Sequence, residues 1–215
     1  TLRALRLPEH PVSDLADVLV APGQRRRGLF GALLRYLRQG FPGTWDCLEL
    51  DRFTERSVLK GELGAVDRPC MERGRSAYLS LDALPPDTGA ALSGKQLRNV
   101  RRLRTRAERD HGEVRFTSLG ADRRDTQYAS FLEVEQAGWK GRGGTAIALR
   151  SDARAFYAAL LDTFDTTGQA VLDLLQFGDR AVAGQLGLRN ADGTLSLLKI
   201  GYDEDYADYG PGAML

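Results

Sequence analysis

The sequence is poor in the residues that mark secreted, membrane or metal-binding proteins. Its 215 residues include two cysteines and two histidines. No apolar run approaches the ~20 residues that cross a bilayer, and no signal-peptide pattern opens the chain. Cys47 and Cys70 give neither a disulfide framework nor a metal-ligand spacing. Cys47 sits in the apolar run WDCLEL, where a buried free thiol is the plain expectation, and a reducing cytoplasm fits. His10 and His111 are too isolated for a His-based metal site or a nucleophilic triad, and no Gly-x-Ser-x-Gly occurs. No metal is expected. With a net charge of +1, the molecule as a whole gives no reason to expect a polyanion partner, so local charge has to decide that question.

What is present is the composition of a folded protein. Apolar residues make up 42% and charged residues 27%, enough for a core and too apolar for general disorder. The length suits one large domain or two smaller ones. Residues 84–94, holding Pro85, Pro86, Gly89 and Gly94, form the best internal boundary. Before it, 2–7 alternates apolar and basic residues, and 14–20 reads as a short strand. Residues 24–39 carry Leu29, Phe30, Leu33, Leu34 and Leu37 at helical spacing, with Arg35 and Arg38 outward. Gly40 and Pro42 stop that helix. A strand at 45–50, a short helix at 55–63 and a strand at 76–81 follow; 66–74, with Cys70 and Met71, shows no clear pattern. Past the boundary, 95–110 is a helix by propensity, with Ser93 as N-cap and a narrow apolar stripe of Leu97, Val100, Leu103 and Ala107. A strand at 113–119 and amphipathic helices at 126–138 and 151–166 come next, separated by the glycine-rich loop WKGRGGT at 139–145.

Residues 169–215 organise the chain. Apolar segments at 170–177, 181–188 and 194–200 are separated by Gly178-Asp179 and by Asn190-Ala191-Asp192-Gly193. Gly and Asn accept positive φ cheaply, so both breaks read as hairpin turns and the whole as a three-stranded antiparallel meander. A polar loop at 202–209 then leads to Gly210-Pro211-Gly212-Ala213-Met214-Leu215. Pro suits the first turn of a helix. A strand, a loop and a Pro-Gly helix start make an anion site, because unpaired N–H groups and the helix dipole converge there. The chain opens on Thr1 and stops as that helix begins, so a longer parent chain is expected, with this piece inactive by itself.

The same order, strand, Pro-Gly and helix, occurs once earlier, around Pro22-Gly23. Either this is coincidence or the chain holds parts of two related units. In the earlier copy, Arg25-Arg26-Arg27-Gly28 resembles the Arg/Gln-x-x-Gly-x-Gly/Ala loop of GNAT acetyltransferases, with Phe30 where that loop has Gly or Ala. An ordinary basic helix start is the simpler reading of it.

Three further features carry candidate chemistry. The helix at 95–110 concentrates Lys95, Arg98, Arg101, Arg102, Arg104, Arg106 and Arg109 against Glu108 and Asp110. Arg98, Arg101 and Arg102 can share a face, either as solvated charge, as a surface for a phosphate or acidic sugar, or as an RNA contact without base-stacking aromatics. The glycines of WKGRGGT allow close backbone approach to a ligand beside Trp139, or simply a flexible connection; a Walker phosphate loop is excluded. Tyr202 and Asp203 open an acidic segment that is either an acid/base pair at a strand end or a solvated turn, and it lacks the spacing of a calcium loop.

The ordered motifs together, SGK leading into RNVRRLRTRAE, the 133–139 helix end, WKGRGG, a helix with Phe156-Tyr157, AVAGQLGL and YDEDYADYGPGAML, resemble the CelD/BcsL group. This is a cellulose-biosynthesis-type acetyltransferase branch of the GNAT superfamily, related in fold to FemABX aminoacyl transferases. The resemblance covers roughly 92–215. It implies an α/β, GNAT-like mixed sheet flanked by helices, built as parts of two tandem units. Residues 1–85 would be the C-terminal half of a degenerate first unit, and 89–215 the N-terminal half of a second, ending at its cofactor loop. It also implies acetyl-CoA or another acyl-CoA as co-substrate, contacted by Ile200, Gly201, Gly210, Pro211, Gly212, Ala213 and Met214. The acceptor would be a hydroxyl or amine of a polysaccharide or small molecule. Tyr202 and Asp203 would be catalytic, and Arg98, Arg101, Arg102 and Trp139 would bind substrate. Two alternatives stand beside it: a FemABX-like transferase using charged tRNA, the one nucleic acid the chain suggests, and a non-catalytic binding domain of the same fold.

Overall fold

Successive residues of one strand, Leu174 and Leu175, are both buried, and they face helices on opposite sides of a sheet. That sheet is the frame of the second half of the chain. The computed structural model describes residues 2–6, 18, 20, 21, 23, 27–50, 57, 59–63, 93–120, 124–191 and 193–215. The chain divides into two units, Thr1–Ala77 and Tyr78–Leu215. Most of the expected strand at 14–20, that at 76–81, residues 84–92 of the boundary, Pro22, Arg25, Arg26, Cys70, Met71 and the start of the 55–63 helix lie outside the described residues.

In the first unit, β1 (Ala4–Arg6) pairs in parallel with β2 (Cys47–Glu49). Arg3 fixes the pairing by donating twice to the Asp46 carboxylate, at 3.0 Å from Nε and from Nη2. Those bonds hold the Asp46 carboxyl at about 2, well below the ordinary aspartate range. Helix α1 (Leu29–Gln39) buries Phe30 and leaves Arg35 and Arg38 outward. The Trp45 indole donates to Leu37 O at 3.1 Å, tying the helix end to the approach of β2. Helix α2 (Lys60–Leu63) follows. Cys47 corrects an expectation: it is exposed rather than buried. The strand around it is three residues long, and among the described residues it pairs with β1 alone.

The second unit begins with α3 (Gly94–His111). Ser93 accepts from the Gln96 N–H at 3.3 Å while Gln96 Oε1 accepts from the Ser93 N–H at 2.8 Å, a capping box that satisfies donors at the helix start. Then come β3 (Val114–Thr117), α4 (Arg124–Ala137), α5 (Trp139–Arg142), a 3-10 helix (Ile147–Leu149) and α6 (Ser151–Asp165). Strands β4 (Ala170–Phe177), β5 (Arg180–Arg189) and β6 (Leu195–Tyr202) form the expected meander, extended by β3 to a four-stranded antiparallel sheet in the order β3-β4-β5-β6. Gly178 and Gly193 take positive φ in the two turns.

Helices cover both faces of the central strands, which explains their near-continuous apolar sequence. Leu174 meets Phe131 of α4 over Gly184, whereas Leu175 and Phe177 pack with Ala107 of α3. Each of these buried Leu and Phe side chains contributes about 1.5–3 kcal/mol. Two residues bulge out of register, Val182 in β5 and Leu198 in β6. Strand β6 is one of the two outer strands among the described residues, and there burial alternates: Leu197 and Ile200 are 48% and 57% exposed.

Candidate functional site

Strand β6 delivers the chain to a short, tightly held connection. Tyr202 ends the strand, and Asp203 caps a 3-10 helix, Glu204–Tyr209, that replaces the expected loop. Asp203 is buried and fully engaged. Its Oδ1 accepts from the Asp205 N–H at 3.1 Å, its Oδ2 from Arg180 Nη2 at 2.8 Å, and its own N–H donates to the carbonyl of the bulged Val182 at 2.8 Å. Tyr206 and Tyr209, three apart and so on one side of a 3-10 turn, pack with His111 and Phe177. Arg106 lies 4.8 Å above the Tyr209 ring, whose hydroxyl is 3.2 Å from Asp110 Oδ2.

That cluster sets the place of the following turn. Gly210 has φ 61°, a left-handed conformation that disfavours side chains, and a Cβ on it would lie 2.9 Å from Leu103 Cδ1 of α3. Pro211 then opens α7 (Pro211–Met214) and is buried. Gly212 and Ala213 are exposed, and among the described residues no protein acceptor takes up the Gly212 N–H. Tyr202 stands beside this turn, its Cδ1 3.9 Å from where a Gly212 Cβ would sit. The turn expected to bind an anion takes the form of a short helix start beside the exposed Tyr202 phenol.

The other border of β6 is formed by the α4–α5 corner, and here sequence reasoning missed the main residues. Glu135 is 1% exposed in the last turn of α4. Its Oε2 accepts from the Ile147 N–H at 2.8 Å and its Oε1 from Lys140 Nζ at 3.2 Å. Lys140 also donates to the carbonyl of Ile200 at 2.5 Å, locking α5 to β6. The corner can approach only because of glycine. A Cβ on Gly201 would lie 3.0 Å from Glu135 Cα, and one on Gly141 1.9 Å from Gln136 O. Residues 139–142, expected as loop, are the helix α5. Trp139, 61% exposed, is held by its N–H donating to Glu204 Oε1 at 2.9 Å, and Arg142 pairs with the same carboxylate. Glu135 had one visible signal in the sequence: it follows Phe131 by four residues, on the buried stripe of α4.

The structure thus brings together Trp139, Ile200, Gly201, Tyr202 and Gly212 around β6. Arg98, Arg101 and Arg102 stay exposed on α3. Arg102 donates to Asn99 at 3.0 Å, whereas Arg98 and Arg101 have no acidic partner among the described residues. A depression of about 250 Å³ between α4 and the β4–β5 turn includes Ser130, Glu133, Arg180 and Asp203, and none of residues 210–214. At the earlier helix start, the N–H groups of Gly28 and Phe30 donate to the chain's own Glu62 carboxylate, the latter at 2.7 Å. An internal carboxylate fills the place a bound anion would take there.

A family model described as an acetyltransferase (GNAT) domain matches residues 94–215, more than half of the chain. The chain belongs to the GNAT acetyltransferase family. No curated protein and no solved structure matches it. The GNAT match begins at the first residue of α3 and takes in the whole four-stranded sheet and the Pro-Gly turn, so the mixed α/β architecture is that of a GNAT-like acyltransferase. Acyl transfer is the general chemistry of this family, with acyl-CoA as co-substrate. Among the described residues no helix is long and apolar enough to cross a membrane, and no group of three or more His, Cys, Asp or Glu side chains is placed to hold a metal.

Proposed function

We propose that this GNAT domain moves an acetyl or other acyl group from acyl-CoA to a hydroxyl or amine of a polysaccharide or small-molecule acceptor, as in the CelD/BcsL branch. The observation that carries the reading is the junction of β6 with α7: an outer strand, a left-handed Gly210, Pro211 at the helix start and the open N–H of Gly212. Backbone donors from 210–214 suit a pyrophosphate. Ile200 and Gly201 offer a strand edge along which an extended amide-bearing arm can lie. Asp203 is held by Arg180 and the Asp205 N–H, so of the proposed acid/base pair Tyr202 is the member that meets ligand. Its phenol returns a proton to the departing thiolate, and Asp203 positions it. Trp139 gives the acceptor a flat wall. The protein works by aligning two substrates and stabilising the developing oxyanion.

Residues 1–85 fit a degenerate unit of the same kind, since Glu62 occupies the helix start that would otherwise hold phosphate. The exposed thiol of Cys47 suits a reducing cytoplasm. Calorimetry of the full-length protein with acetyl-CoA tests the reading: saturable binding is expected, and none at millimolar ligand would sink it.

A second reading, FemABX-like transfer from charged tRNA, draws on α3. Lys95, Arg98 and Arg101 are exposed without acidic partners among the described residues, and the first turn of that helix holds no acidic residue. Cations near a helix N-terminus oppose its dipole, which an anionic ligand would offset. Salt-dependent tRNA binding that weakens in Arg101→Ala would favour it.

A further inference from the structure

Helix α3 packs against the residues that lead into the Pro-Gly turn. Leu103 Cδ1 lies 2.9 Å from where a Gly210 Cβ would sit, and the half-buried Arg106 guanidinium lies over the Tyr209 ring, 4.8 Å from its centre. Arg102 immediately precedes Leu103 and stands four residues, about 6 Å of helix rise, before Arg106. Like charges at that spacing repel, and among the described residues neither arginine has a carboxylate to itself. Arg102 donates to the neutral Asn99 at 3.0 Å. Asp110 is bound twice by Arg109, at 2.7 and 3.1 Å, and accepts from the Tyr209 hydroxyl at 3.2 Å. Arg106 Nε is left 3.8 Å from it, outside hydrogen-bond range. The helix dipole favours cations in the last turn alone, and both arginines lie before that turn. Asp205 and Asp208 of the 3-10 helix are three apart, so they share a side of it that is not the side of Tyr206 and Tyr209.

A planar guanidinium laid on an aromatic ring keeps its N–H edge free, in the fork geometry that takes a phosphate bidentately. We propose that Arg106, reinforced by Arg102, binds the 3′-phosphate on the ribose of coenzyme A and so selects it over donors that lack that phosphate. This rests on the acyl-CoA reading above and adds to it the recognition of the nucleotide end. Backbone N–H groups beyond Gly210 suit the pyrophosphate, but a phosphate monoester carries about 1.5–2 further negative charges near neutral pH. Neutral donors leave that charge unmatched. The other cations around this segment are already engaged, Arg180 by Asp203, Arg142 by Glu204 and Lys140 by Glu135. Arg106 is the cation that is set against the residue before the turn without a hydrogen-bonded carboxylate.

Calorimetry of the full-length protein with acetyl-CoA and with 3′-dephospho-acetyl-CoA tests the assignment. The wild type is expected to bind acetyl-CoA about tenfold or more tightly than the dephospho ligand. Arg106→Met is expected to bring the two affinities within about twofold, by weakening acetyl-CoA binding while the dephospho ligand binds as before. That unchanged affinity also shows the turn beside Tyr209 to be intact. Arg102→Met is expected to lower the ratio less. Arg106→Lys is expected to fall between wild type and Arg106→Met, because an ammonium keeps the charge without the fork. Arg104→Met removes the same charge from the same helix, but from a side chain paired with Glu108 at 2.9 Å, and is expected to keep the wild-type ratio. An equal loss for both ligands in Arg106→Met would make Arg106 a prop of the turn and overturn the assignment. So would a wild-type ratio near one, an unchanged ratio in Arg106→Met, or the same fall in Arg104→Met, and in each of these cases acetyl-CoA binding by the wild type would still stand. No binding of either ligand by the wild type at millimolar concentration would instead remove the acyl-CoA reading, and this subsite with it.

Discussion

Lys140 Nζ lies 2.5 Å from the carbonyl oxygen of Ile200, sixty residues further along the chain. The bond turns a helix corner and an outer strand into one structural piece. Because the same ammonium is 3.2 Å from the buried Glu135 carboxylate, the corner is fixed by charge as well as by packing. Removing one partner leaves the other uncompensated in the core. Lys140→Met is expected to cost about 3–5 kcal/mol, and adding Glu135→Gln to recover part of that loss. Urea denaturation of both single variants and the double variant measures it. Strict additivity would mean that the pair is not coupled.

Close approach at Gly201 supplies a second prediction. A Cβ there would lie 3.0 Å from Glu135 Cα, and backbone cannot yield as a side chain would. Gly201→Ala is expected to destabilise by about 1–3 kcal/mol through overpacking. An unchanged urea midpoint would show that α4 does not press on β6 as described.

The pH dependence of stability follows from Lys199. Its amine is pressed below the usual 10.5 by burial and by Lys140. Between the folded-state value and 10.5 the unfolded chain binds more protons than the folded one, so stability rises with pH there. Below that window the group keeps its full destabilising effect. Above pH 10, Tyr128 acts in the opposite direction, since burial raises its phenol to about 12. Urea titrations below pH 10 are expected to show the rise in the wild type and a flatter profile in Lys199→Met. Equal slopes would refute it.

On α3, Arg98 faces Arg102 one turn on without an acidic partner among the described residues. Arg98→Glu replaces a repulsive pair by an attractive one and is expected to stabilise by about 0.5 kcal/mol. If this face holds an anionic substrate, the same change weakens tRNA or acidic-sugar binding and flattens its salt dependence. Unchanged binding of tRNA and of an acidic oligosaccharide would leave α3 as solvated charge.

Local patterns made much of this legible from the amino acids alone. Strand β4 spans the apolar run 170–177, and Ser93 caps α3, because hydrophobic period and capping chemistry act within a few residues. The Pro-Gly turn was legible for the same reason. Segment 202–209 was misread as loop because its polarity hid the three-residue spacing of Asp203, Tyr206 and Tyr209, which winds a 3-10 helix against His111 and Phe177. Cys47 was misplaced because an apolar run does not reveal how many strands its sheet has. The contacts of Glu135 and Lys140 with β6 depend on packing between distant segments, which no short motif encodes.

The central claim is that the Pro-Gly helix start holds acyl-CoA. Gly212→Asp tests it with little risk to the fold, because a Cβ there meets only Tyr202 Cδ1, at an ordinary 3.9 Å. Acetyl-CoA is titrated calorimetrically into the full-length wild type and this variant. Saturable binding in the wild type and a loss of tenfold or more in the variant, where a carboxylate repels the pyrophosphate, is the predicted result. Equal affinity in the two proteins, or no binding by the wild type at millimolar ligand, would contradict it.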